Sequence, residues 1–460
     1  MNGLVFGIEY LDNLYLRALR LKPLMIIAGN PGTGKTTLAC TMCYANALRG
    51  NKCLYITFYE DREKLYDVMS GLGLDLYEAE SKDLLRFVKI PITYSSEFFG
   101  ELIMKYIESF NPKIVVIDSI TPLLASAATQ RDKRIIIQNF LYELPRRIDG
   151  AIILIYESLN NEANELIDIF FIADIVIFMK NVVEKSTLTR IMEIKKMRGC
   201  DIKLSEISYS ISEGKGIELY PKPFLEEISP DSKELKLPCK ILERYIAHAH
   251  LGMSVYISHY ADNRPLESLL ILTGLLVLND LRCLYIVYNQ PPKSAREQII
   301  RVLKKYGMAE DEAEKIVDKH YTFISINPYL YTLSSLLVRL QSIFKDAFDA
   351  DVIVFNDVSL VGMVYNPADY LRAIYDNVNY LRYLKKLNIR IGSYINEEHY
   401  RLNAMVSDII FKVTTEFKPN YEGCELMIYV WRRGMEATSL RNDEVMMCCE
   451  EIVQNIKKME

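Results

Sequence analysis

One eight-residue segment constrains the fold more than any other part of the chain. Residues 29–36 have the sequence GNPGTGKT and fit the pattern G-x-x-x-x-G-K-[ST] without a mismatch. The apolar run of residues 24–28 precedes this segment, and residues 37–42 continue it with a helical pattern. A glycine-rich loop between a strand and a helix wraps closely around a polyphosphate, because its backbone N–H groups and the helix N-terminus point at the anion. The segment therefore predicts a nucleoside triphosphate site.

The residues of this loop have separate expected roles. Lys35 is expected to reach the β- and γ-phosphates, and the Thr36 hydroxyl is placed to bind Mg²⁺. ATP and Mg²⁺ are accordingly the expected cofactors. The residues expected to bind the nucleotide are Gly29, Asn30, Pro31, Gly32, Thr33, Gly34, Lys35, Thr36 and Thr37.

Bulk composition narrows the class of protein. With 460 residues the chain exceeds one ordinary domain, and 50% hydrophobic residues suffice for two packed cores. The formal net charge of −5 gives no global electrostatic signature of nucleic-acid binding. The longest apolar run, near residues 269–278, is too short to span a bilayer, and the N-terminal segment lacks the apolar core of a signal peptide. We therefore expect a soluble, cytoplasmic protein without a membrane span.

The nine cysteines are scattered along the chain and show no zinc-binding spacing. Most of them lie in apolar stretches, which favours buried, reduced thiols. The clearest examples are Cys40, Cys43, Cys53 and Cys283.

The chain contains an internal repeat on the scale of a whole domain. Four segments of the first half recur in the second half in the same order and at nearly constant separation, which coincidence does not explain. The pairs are residues 53–56 and 283–286, 114–119 and 352–357, 173–176 and 407–410, and 197–199 and 432–434. Residues 221–238 hold four prolines and many charges and are the expected hinge. We predict domains at residues 1–225 and 240–460.

Each half alternates short β-branched runs with helical patterns, which is typical of parallel strands joined by crossover helices. The strands predicted in the first half are residues 24–28, 53–58, 86–90, 114–118, 151–156 and 174–179. We therefore predict an α/β fold of two tandem domains, each a mostly parallel twisted sheet flanked by helices. Ligands bind such sheets at the carboxyl ends of the strands. Asp118 ends its strand at that edge and is expected to hold Mg²⁺ together with Thr36.

The second half lacks the features that bind phosphate. Aligned on the repeat, residues 259–266 stand opposite the glycine-rich loop and contain no glycine, and Pro265 takes the lysine position. Asn356 stands where the first half has Asp118. We therefore expect that the second domain does not hydrolyse nucleotide.

In combination these motifs resemble the KaiC branch of the RecA-like ATPases in its two-domain form. The resemblance covers almost all of residues 1–225 and is faint over residues 240–460. It is carried by GNPGTGKTT and by residues 55–61, 117–121, 173–176 and 193–199. It implies two tandem RecA-like domains and a homohexameric ring with ATP bound between neighbouring subunits.

The resemblance also implies a role for Lys196 and Arg198, which it places at the γ-phosphate of the next subunit. Cations supplied in this way stabilise charge on the transferring phosphoryl group. On spacing alone, two cations at positions i and i+2 of a strand are more often a solvated face. With the resemblance we expect Lys196 and Arg198 to take part in catalysis.

The segment after the second strand departs from the family pattern. Such ATPases usually end this strand in two glutamates, whereas this chain has Tyr59 followed by Glu60. A phenol with a pKa near ~10 is a poor base at neutral pH. Glu60 is therefore the expected base, although alternation along a strand requires a bent strand end to bring it to the same water. We expect slow hydrolysis.

A second departure concerns self-phosphorylation. The circadian members of the family carry an adjacent Ser–Thr pair in the second domain. Residues 404–408 read AMVSD and lack that pair. We therefore expect no self-phosphorylation of this kind.

Three functions are compatible with the sequence. The leading interpretation is a slow ATPase whose ring acts as a nucleotide-dependent switch, with the second domain as a scaffold for an unknown protein partner. The alternative is a RecA/RadA- or helicase-like DNA-dependent ATPase, for which residues 126–134 would form the basic loop. In an acidic chain, a charged helix cap is the commoner explanation of that segment. The third is a protein that holds ATP structurally without turnover, which Tyr59 favours.

Overall fold

The computed structural model of the protein describes residues 3–91, 96–125, 141–157, 167–184, 187–221, 233–261, 266–417 and 424–459. The chain divides into two units. The first comprises Met1–Glu184 with Leu188–Pro221, and the second comprises Lys185–Thr187 with Lys222–Glu460. Each unit is built on one large sheet.

The first unit alternates strands and helices along the chain. Its strands are β1 (Leu24–Gly29), β2 (Cys53–Thr57), β3 (Leu85–Lys89), β4 (Ile114–Asp118), β5 (Ala151–Glu157), β6 (Ile175–Glu184), β7 (Thr187–Met197), β8 (Glu206–Ser212) and β9 (Gly216–Tyr220). Its helices are α1 (Glu9–Leu19), α2 (Lys35–Ala47), α3 (Arg62–Gly71), α4 (Leu76–Ser81), α5 (Ser96–Phe110), α6 (Thr121–Ala125), α7 (Leu144–Ile148) and α8 (Ile167–Ile172).

The first sheet has the strand order β3-β2-β4-β5-β1-β6-β7-β8-β9. Strand β1 lies between β5 and β6 and pairs with both in parallel, with Leu24 opposite Ile152 and Met25 opposite Ile175. The pairs β7–β8 and β8–β9 are antiparallel. This order brings the carboxyl ends of β1, β2, β4 and β5 to one edge of the sheet.

Helices cover both faces of the central strands, so these strands are apolar throughout. Strands β1 and β4 are buried at every residue, as parallel strands between two helical layers are. Side chains alternate between the faces, so Met25 packs in the core formed with α2, whereas Leu24 packs in the core formed with α5. The rigid β1–α2 unit therefore fixes the loop between them.

The second unit has its own set of elements. Its strands are β10 (Glu234–Leu235), β11 (Ala249–His250), β12 (Ser254–His259), β13 (Cys283–Val287), β14 (Tyr321–Ser325), β15 (Val352–Asn356), β16 (Leu387–Ser393), β17 (Ile409–Phe417), β18 (Cys424–Arg432) and β19 (Thr438–Leu440). Its α-helices are α9 (Lys240–Ile246), α10 (Glu267–Asn279), α11 (Pro292–Lys305), α12 (Glu310–His320), α13 (Leu333–Asp346), α14 (Val358–Val364), α15 (Pro367–Tyr383), α16 (Glu397–Met405) and α17 (Asn442–Met459).

The second sheet repeats the topology of the first. Its order is β14-β13-β15-β16-β12-β17-β18-β19, while β10 and β11 form a separate two-stranded sheet. Strand β12 lies between β16 and β17, as β1 lies between β5 and β6. The predicted fold class, two tandem RecA-like domains with mostly parallel sheets, is confirmed.

The six strands predicted in the first half are all present. Their bounds agree within one residue, except that β6 continues to Glu184. Strands β7, β8 and β9 were not predicted, and they extend the sheet beyond β6.

The expectation of reduced cysteines is correct for four thiols and wrong for one pair. Cys40, Cys43, Cys53 and Cys283 are buried and free. Cys239 and Cys448, by contrast, form a disulfide with Cα atoms 5.5 Å apart. Their separation of 209 residues leaves no local spacing from which the pairing could be predicted.

Within the described parts of the chain, no helix is both long and apolar enough to cross a membrane.

Candidate nucleotide-binding site

Two glycines fix the path of the loop between β1 and α2. Gly29 has φ 148°, and a Cβ atom there would lie 2.0 Å from the carbonyl oxygen of Met179 on β6. Gly34 has φ 91° and directly precedes α2, so it turns the chain into the helix in a left-handed conformation that favours glycine. Tyr209 on β8 donates a hydrogen bond to the carbonyl oxygen of Thr33 at 2.5 Å. The loop is therefore held where it leaves β1 and where it enters α2.

Lys35 is the first residue of α2, and its side chain reaches back to the loop. It is 5% exposed, and its Nζ donates to the carbonyl oxygen of Asn30 at 2.9 Å. Burial lowers the pKa of Lys35, while the carboxylates of Glu157 and Asp118 act in the opposite direction. A buried ammonium held by a carbonyl and two nearby acids is suited to bind a phosphate.

Thr36 and Asp118 meet across the site. The Thr36 hydroxyl donates to Asp118 Oδ2 at 2.8 Å, and the Tyr55 hydroxyl donates to the same oxygen at 2.5 Å. Burial raises the pKa of Asp118, and these two hydrogen bonds oppose the shift because they stabilise the ionised form.

These two groups fit a magnesium ion. A hydroxyl and a carboxylate are the oxygen ligands that Mg²⁺ prefers, and Mg²⁺ usually takes only one or two protein groups beside water and phosphate oxygens. Among the described residues, no group of three or more His, Cys, Asp or Glu side chains could hold a metal by itself. Thr36 and Asp118 would therefore hold Mg²⁺ together with the nucleotide.

The chain bends directly after β2. The Thr57 hydroxyl accepts hydrogen bonds from the backbone N–H groups of Tyr59 and Glu60 at 3.3 and 3.1 Å. Tyr59 is 62% exposed. Burial, with the carboxylates of Asp118 and Glu157, raises the pKa of Glu60, which places Glu60 in the same cluster of charges as these two acids. The strand end is bent, as a role for Glu60 requires.

Sequence reasoning missed Tyr55, Tyr209 and Glu157. Glu157 ends β5 and pairs with Gly29 of β1, so it lies at the loop. The signal was available, because an acid that ends a predicted strand stands at the same sheet edge as Asp118. The two tyrosines gave no signal, since a phenol on a strand is usually a core residue.

Lys196 and Arg198 lie at the end of β7, and among the described residues neither forms a hydrogen bond or an ion pair with the loop. Lys196 Nζ donates to the carbonyl oxygens of Phe170 and Phe171 at 3.1 and 2.9 Å. Arg198 donates to Asp174 Oδ1 at 2.7 Å. Burial and the charge of Arg198 lower the pKa of Lys196. Within one chain these cations hold the end of β7 against the segment that leads into β6.

The second unit keeps a version of this arrangement. Arg433 lies 3.8 Å from Asp408, and the backbone N–H of Arg433 donates to the Asp408 carbonyl oxygen, as Arg198 does to Asp174.

In the second unit, Asn356 stands at the position of Asp118, and its amide donates to the Tyr285 hydroxyl at 3.1 Å. The tyrosine is retained, but the direction of its hydrogen bond is reversed because the acid has been replaced.

Some predicted features lie outside the described residues. These are the basic segment of residues 126–134, most of the expected hinge, and residues 262–265, which include Pro265 at the lysine position.

The first unit is thus a P-loop ATPase domain of the RecA type, since a strand–loop–helix phosphate site lies beside an acid at the end of a neighbouring strand. The protein family described as "ATPase: KaiC" matches residues 5–223. Residues 5–223 therefore form a KaiC-like ATPase domain of the RecA superfamily.

Individual relatives agree with this assignment. The chain is 32% identical to the circadian clock protein KaiC2 of Synechocystis sp. over 133 residues, which is 28% of the chain and 23% of that protein. It is 25% identical to the circadian clock protein KaiC3 of the same organism over 361 residues, which is 74% of the chain and 69% of that protein. It is 25% identical to the circadian clock oscillator protein KaiC of Picosynechococcus sp. over 211 residues, which is 45% of the chain and 41% of that protein. The matches thus span less than half the length of two of these three relatives.

Proposed function

We propose that the first domain binds Mg·ATP and hydrolyses it slowly, and that the protein acts as a ring-forming, nucleotide-dependent switch. One observation carries the proposal. Lys35, Thr36 and Asp118 converge at one edge of the sheet, with Thr36 and Asp118 joined by a 2.8 Å hydrogen bond.

The loop binds the nucleotide in this proposal. The N–H groups of residues 29–37 and the start of α2 face the phosphates, and the Lys35 ammonium leaves the Asn30 carbonyl oxygen for the β- and γ-phosphate oxygens. Thr36 and Asp118 would hold Mg²⁺ in place of their mutual hydrogen bond, and the ion would neutralise charge on the phosphates. Tyr55 keeps its hydrogen bond to Asp118 and fixes the orientation of that carboxylate.

Glu60 is the proposed general base. Its pKa is raised by burial and by the neighbouring acids, which brings its basicity closer to that needed at neutral pH. Tyr59 occupies the position of the first of two glutamates in related ATPases and is exposed, and a tyrosine does not take the role of a carboxylate base. Slow turnover follows from the use of one base in place of the usual pair.

Assembly completes the site in this proposal. Lys196 and Arg198 are held by carbonyl oxygens and by Asp174 in the single chain, and in a homohexamer they contact the γ-phosphate bound by the next subunit. Bound ATP then links neighbours, so that its hydrolysis changes the contacts between subunits. The second domain, with Asn356 in place of the acid, serves as a scaffold that does not turn over nucleotide or phosphorylate itself. A protein partner of unknown identity recognises the ring.

The proposal is tested by following nucleotide binding and turnover separately. A fluorescent ATP analogue reports binding, and phosphate release reports hydrolysis, for the wild type, Glu60→Gln and Tyr59→Phe. We expect Glu60→Gln to bind the analogue normally and to lose about 10²-fold or more in turnover. Tyr59→Phe is the matched control and should leave both unchanged. Equal turnover in the wild type and Glu60→Gln would refute the assignment of the base.

A further inference from the structure

The internal duplication of the fold allows one domain to be compared with the other, residue by residue. On the sheet face opposite α2, the first domain is apolar: Leu24 pairs with Ile152, and Ile26 pairs with Leu154. The equivalent pairs in the second domain are Ser254 with Asn388, and Tyr256 with Arg390. All of these residues are at most 3% exposed. Positions that are apolar in the first domain thus carry Ser254, Asn388 and Arg390 in the second, with Tyr256 at the fourth. Asn388 and Arg390 both lie on β16.

Arg390 is a buried cation with incomplete compensation. Its terminal nitrogens donate to the side chains of Asn403 at 3.0 Å, Ser254 at 3.3 Å and Ser407 at 2.6 Å. These partners are neutral, and in the described part of the chain Arg390 forms no ion pair. Asp408 is the carboxylate whose charge acts on Arg390, and it already pairs with Arg382 and Arg433. Burial lowers the pKa of Arg390 to about 10, so its side chain is charged at pH 7.

Three polar atoms of Asn388 and Arg390 are left without a hydrogen-bond partner among the described residues. In the described structure the Nε of Arg390 has no hydrogen-bond partner, and neither does the amide nitrogen or the amide oxygen of Asn388. The two residues are two positions apart on β16, so their side chains emerge from the same face. Polar groups buried in this way destabilise the fold unless something binds them, and a buried charge does so most strongly.

A cavity lies directly against these two side chains. It has a volume of about 60 Å³, and Asn388 and Arg390 are among the residues that line it. Its other walls are mostly apolar and come largely from α13, α14 and α15, including Leu336, Leu340 and Ile374. Polar atoms on these walls belong to Tyr288, Tyr370 and Asn377. Leu333 and Leu337, which also line it, are only partly buried, so the cavity approaches the surface between α13 and α15.

We propose that this cavity in the second domain binds a short-chain organic monocarboxylate. The carboxylate accepts hydrogen bonds from Arg390 Nε and the Asn388 amide, and the hydrocarbon chain occupies the apolar part between α13 and α15. The cation and the amide select an anion with planar oxygens, since a guanidinium donates well to a carboxylate. The apolar walls select against inorganic anions, which have no surface to bury there. The site lies on the sheet face opposite α10, the counterpart of α2.

Calorimetric titration of the full chain in the absence of nucleotide tests this site. The probes are acetate, butyrate and hexanoate, with hexanol and hexylamine as uncharged and cationic controls. We expect saturable binding of the carboxylates that tightens from acetate to hexanoate, and no binding of the controls. Equal affinity for acetate and hexanoate, or equal affinity for hexanol and hexanoate, would overturn the proposal, as would the absence of saturable binding of all three acids at millimolar concentration.

Two variants separate binding from folding. Asn388→Ile installs the residue that the first domain has at this position and removes two unpaired polar atoms, so it should fold and be at least as stable as the wild type. It should weaken hexanoate binding roughly 10- to 100-fold, because a hydrogen bond to a charged group is lost. Ile152→Val, a change at the equivalent position of the first domain, should leave binding unchanged. Unaltered hexanoate affinity in Asn388→Ile would contradict the assignment.

Discussion

At the scale of single residues, the hydroxyl of Tyr55 stabilises the ionised form of Asp118, the acid of the candidate site. It donates to the same oxygen of Asp118 that accepts from Thr36, and both bonds favour the ionised carboxylate against the effect of burial. The second domain keeps the tyrosine as Tyr285 but pairs it with Asn356. The two tyrosines therefore offer a matched pair of substitutions.

We predict that Tyr55→Phe raises the magnesium concentration needed for half-maximal ATP turnover. The substitution removes a hydrogen bond that orients the Asp118 carboxylate and favours its ionised form, which corresponds to roughly a tenfold loss in apparent magnesium affinity. Magnesium titrations of phosphate release measure this. Tyr285→Phe is the control and should leave the titration unchanged. An equal effect of the two substitutions would contradict the account of Asp118.

His399 makes the stability of the second domain depend on pH. The residue is 6% exposed, and burial lowers its pKa to about 4, while Asp357 and Arg390 act on it in opposite directions. On acidification, the unfolded chain takes up the histidine proton near pH ~6.5, whereas the folded chain does so only near pH 4. Stability should therefore fall between these two values, by up to about 3 kcal/mol.

The measurement is denaturant unfolding of the wild type and His399→Phe at a series of pH values. The aromatic replacement preserves the stacking on Tyr370, whose ring centroid lies 5.3 Å from that of His399. The difference in free energy of unfolding between the two proteins should shift in favour of the variant as the pH falls from 6.5 to 4. Parallel curves over this range would show that His399 does not titrate as described.

At the scale of elements, the junction of β1 and α2 depends on close contact between backbones. A Cβ atom at Gly29 would lie 2.0 Å from the Met179 carbonyl oxygen on β6. Because a backbone atom of a central strand cannot move aside, Gly29→Ala should destabilise the protein by about 3 kcal/mol or more. Thermal unfolding measures this. Gly71→Ala at the end of α3, where a Cβ meets nothing within 4 Å, is the control and should have little effect. Similar stabilities of the two variants would contradict this view of the junction.

The parts of the fold that the sequence predicted are those where one physical signal dominates. Strands β1, β2, β4 and β5 are central, and their continuous apolar runs were visible in the chain. Strands β7 to β9 were not predicted, because they lie at the antiparallel end of the sheet, where polar and apolar residues alternate less clearly along the chain.

The burial of two polar residues in the second domain could not be predicted from apolar runs. Asn388 and Arg390 are 2% and 3% exposed, yet both residue types usually indicate a surface. At the candidate site, the glycine loop and Asp118 follow from a motif and a sheet edge. Tyr55 and Tyr209 depend on distances that only the folded chain provides.

At the scale of the whole molecule, the disulfide between Cys239 and Cys448 closes a loop of nearly the entire second domain. It joins the residue before α9 to the C-terminal helix α17 across 209 residues. A cross-link of this length restricts the unfolded chain strongly, so Cys448→Ser should lower the free energy of unfolding by about 2–5 kcal/mol.

Denaturant unfolding under non-reducing conditions measures this loss, and a reducing agent should lower the stability of the wild type but not that of Cys448→Ser. Cys200→Ser, which changes a free cysteine of the first domain, is the control and should behave as the wild type does. A wild type that is insensitive to reduction would show that the cross-link contributes nothing to stability.

We propose that ATP bound by the first domain joins subunits into a ring that hydrolyses ATP slowly. This proposal is tested most directly by light scattering with and without Mg·ATP, with phosphate release followed on the same samples. We expect a hexamer that forms or tightens with Mg·ATP and hydrolyses it slowly, and we expect Arg198→Ala to lower turnover without loss of ATP binding. A monomer that hydrolyses ATP at the same rate whatever its assembly state would contradict this proposal.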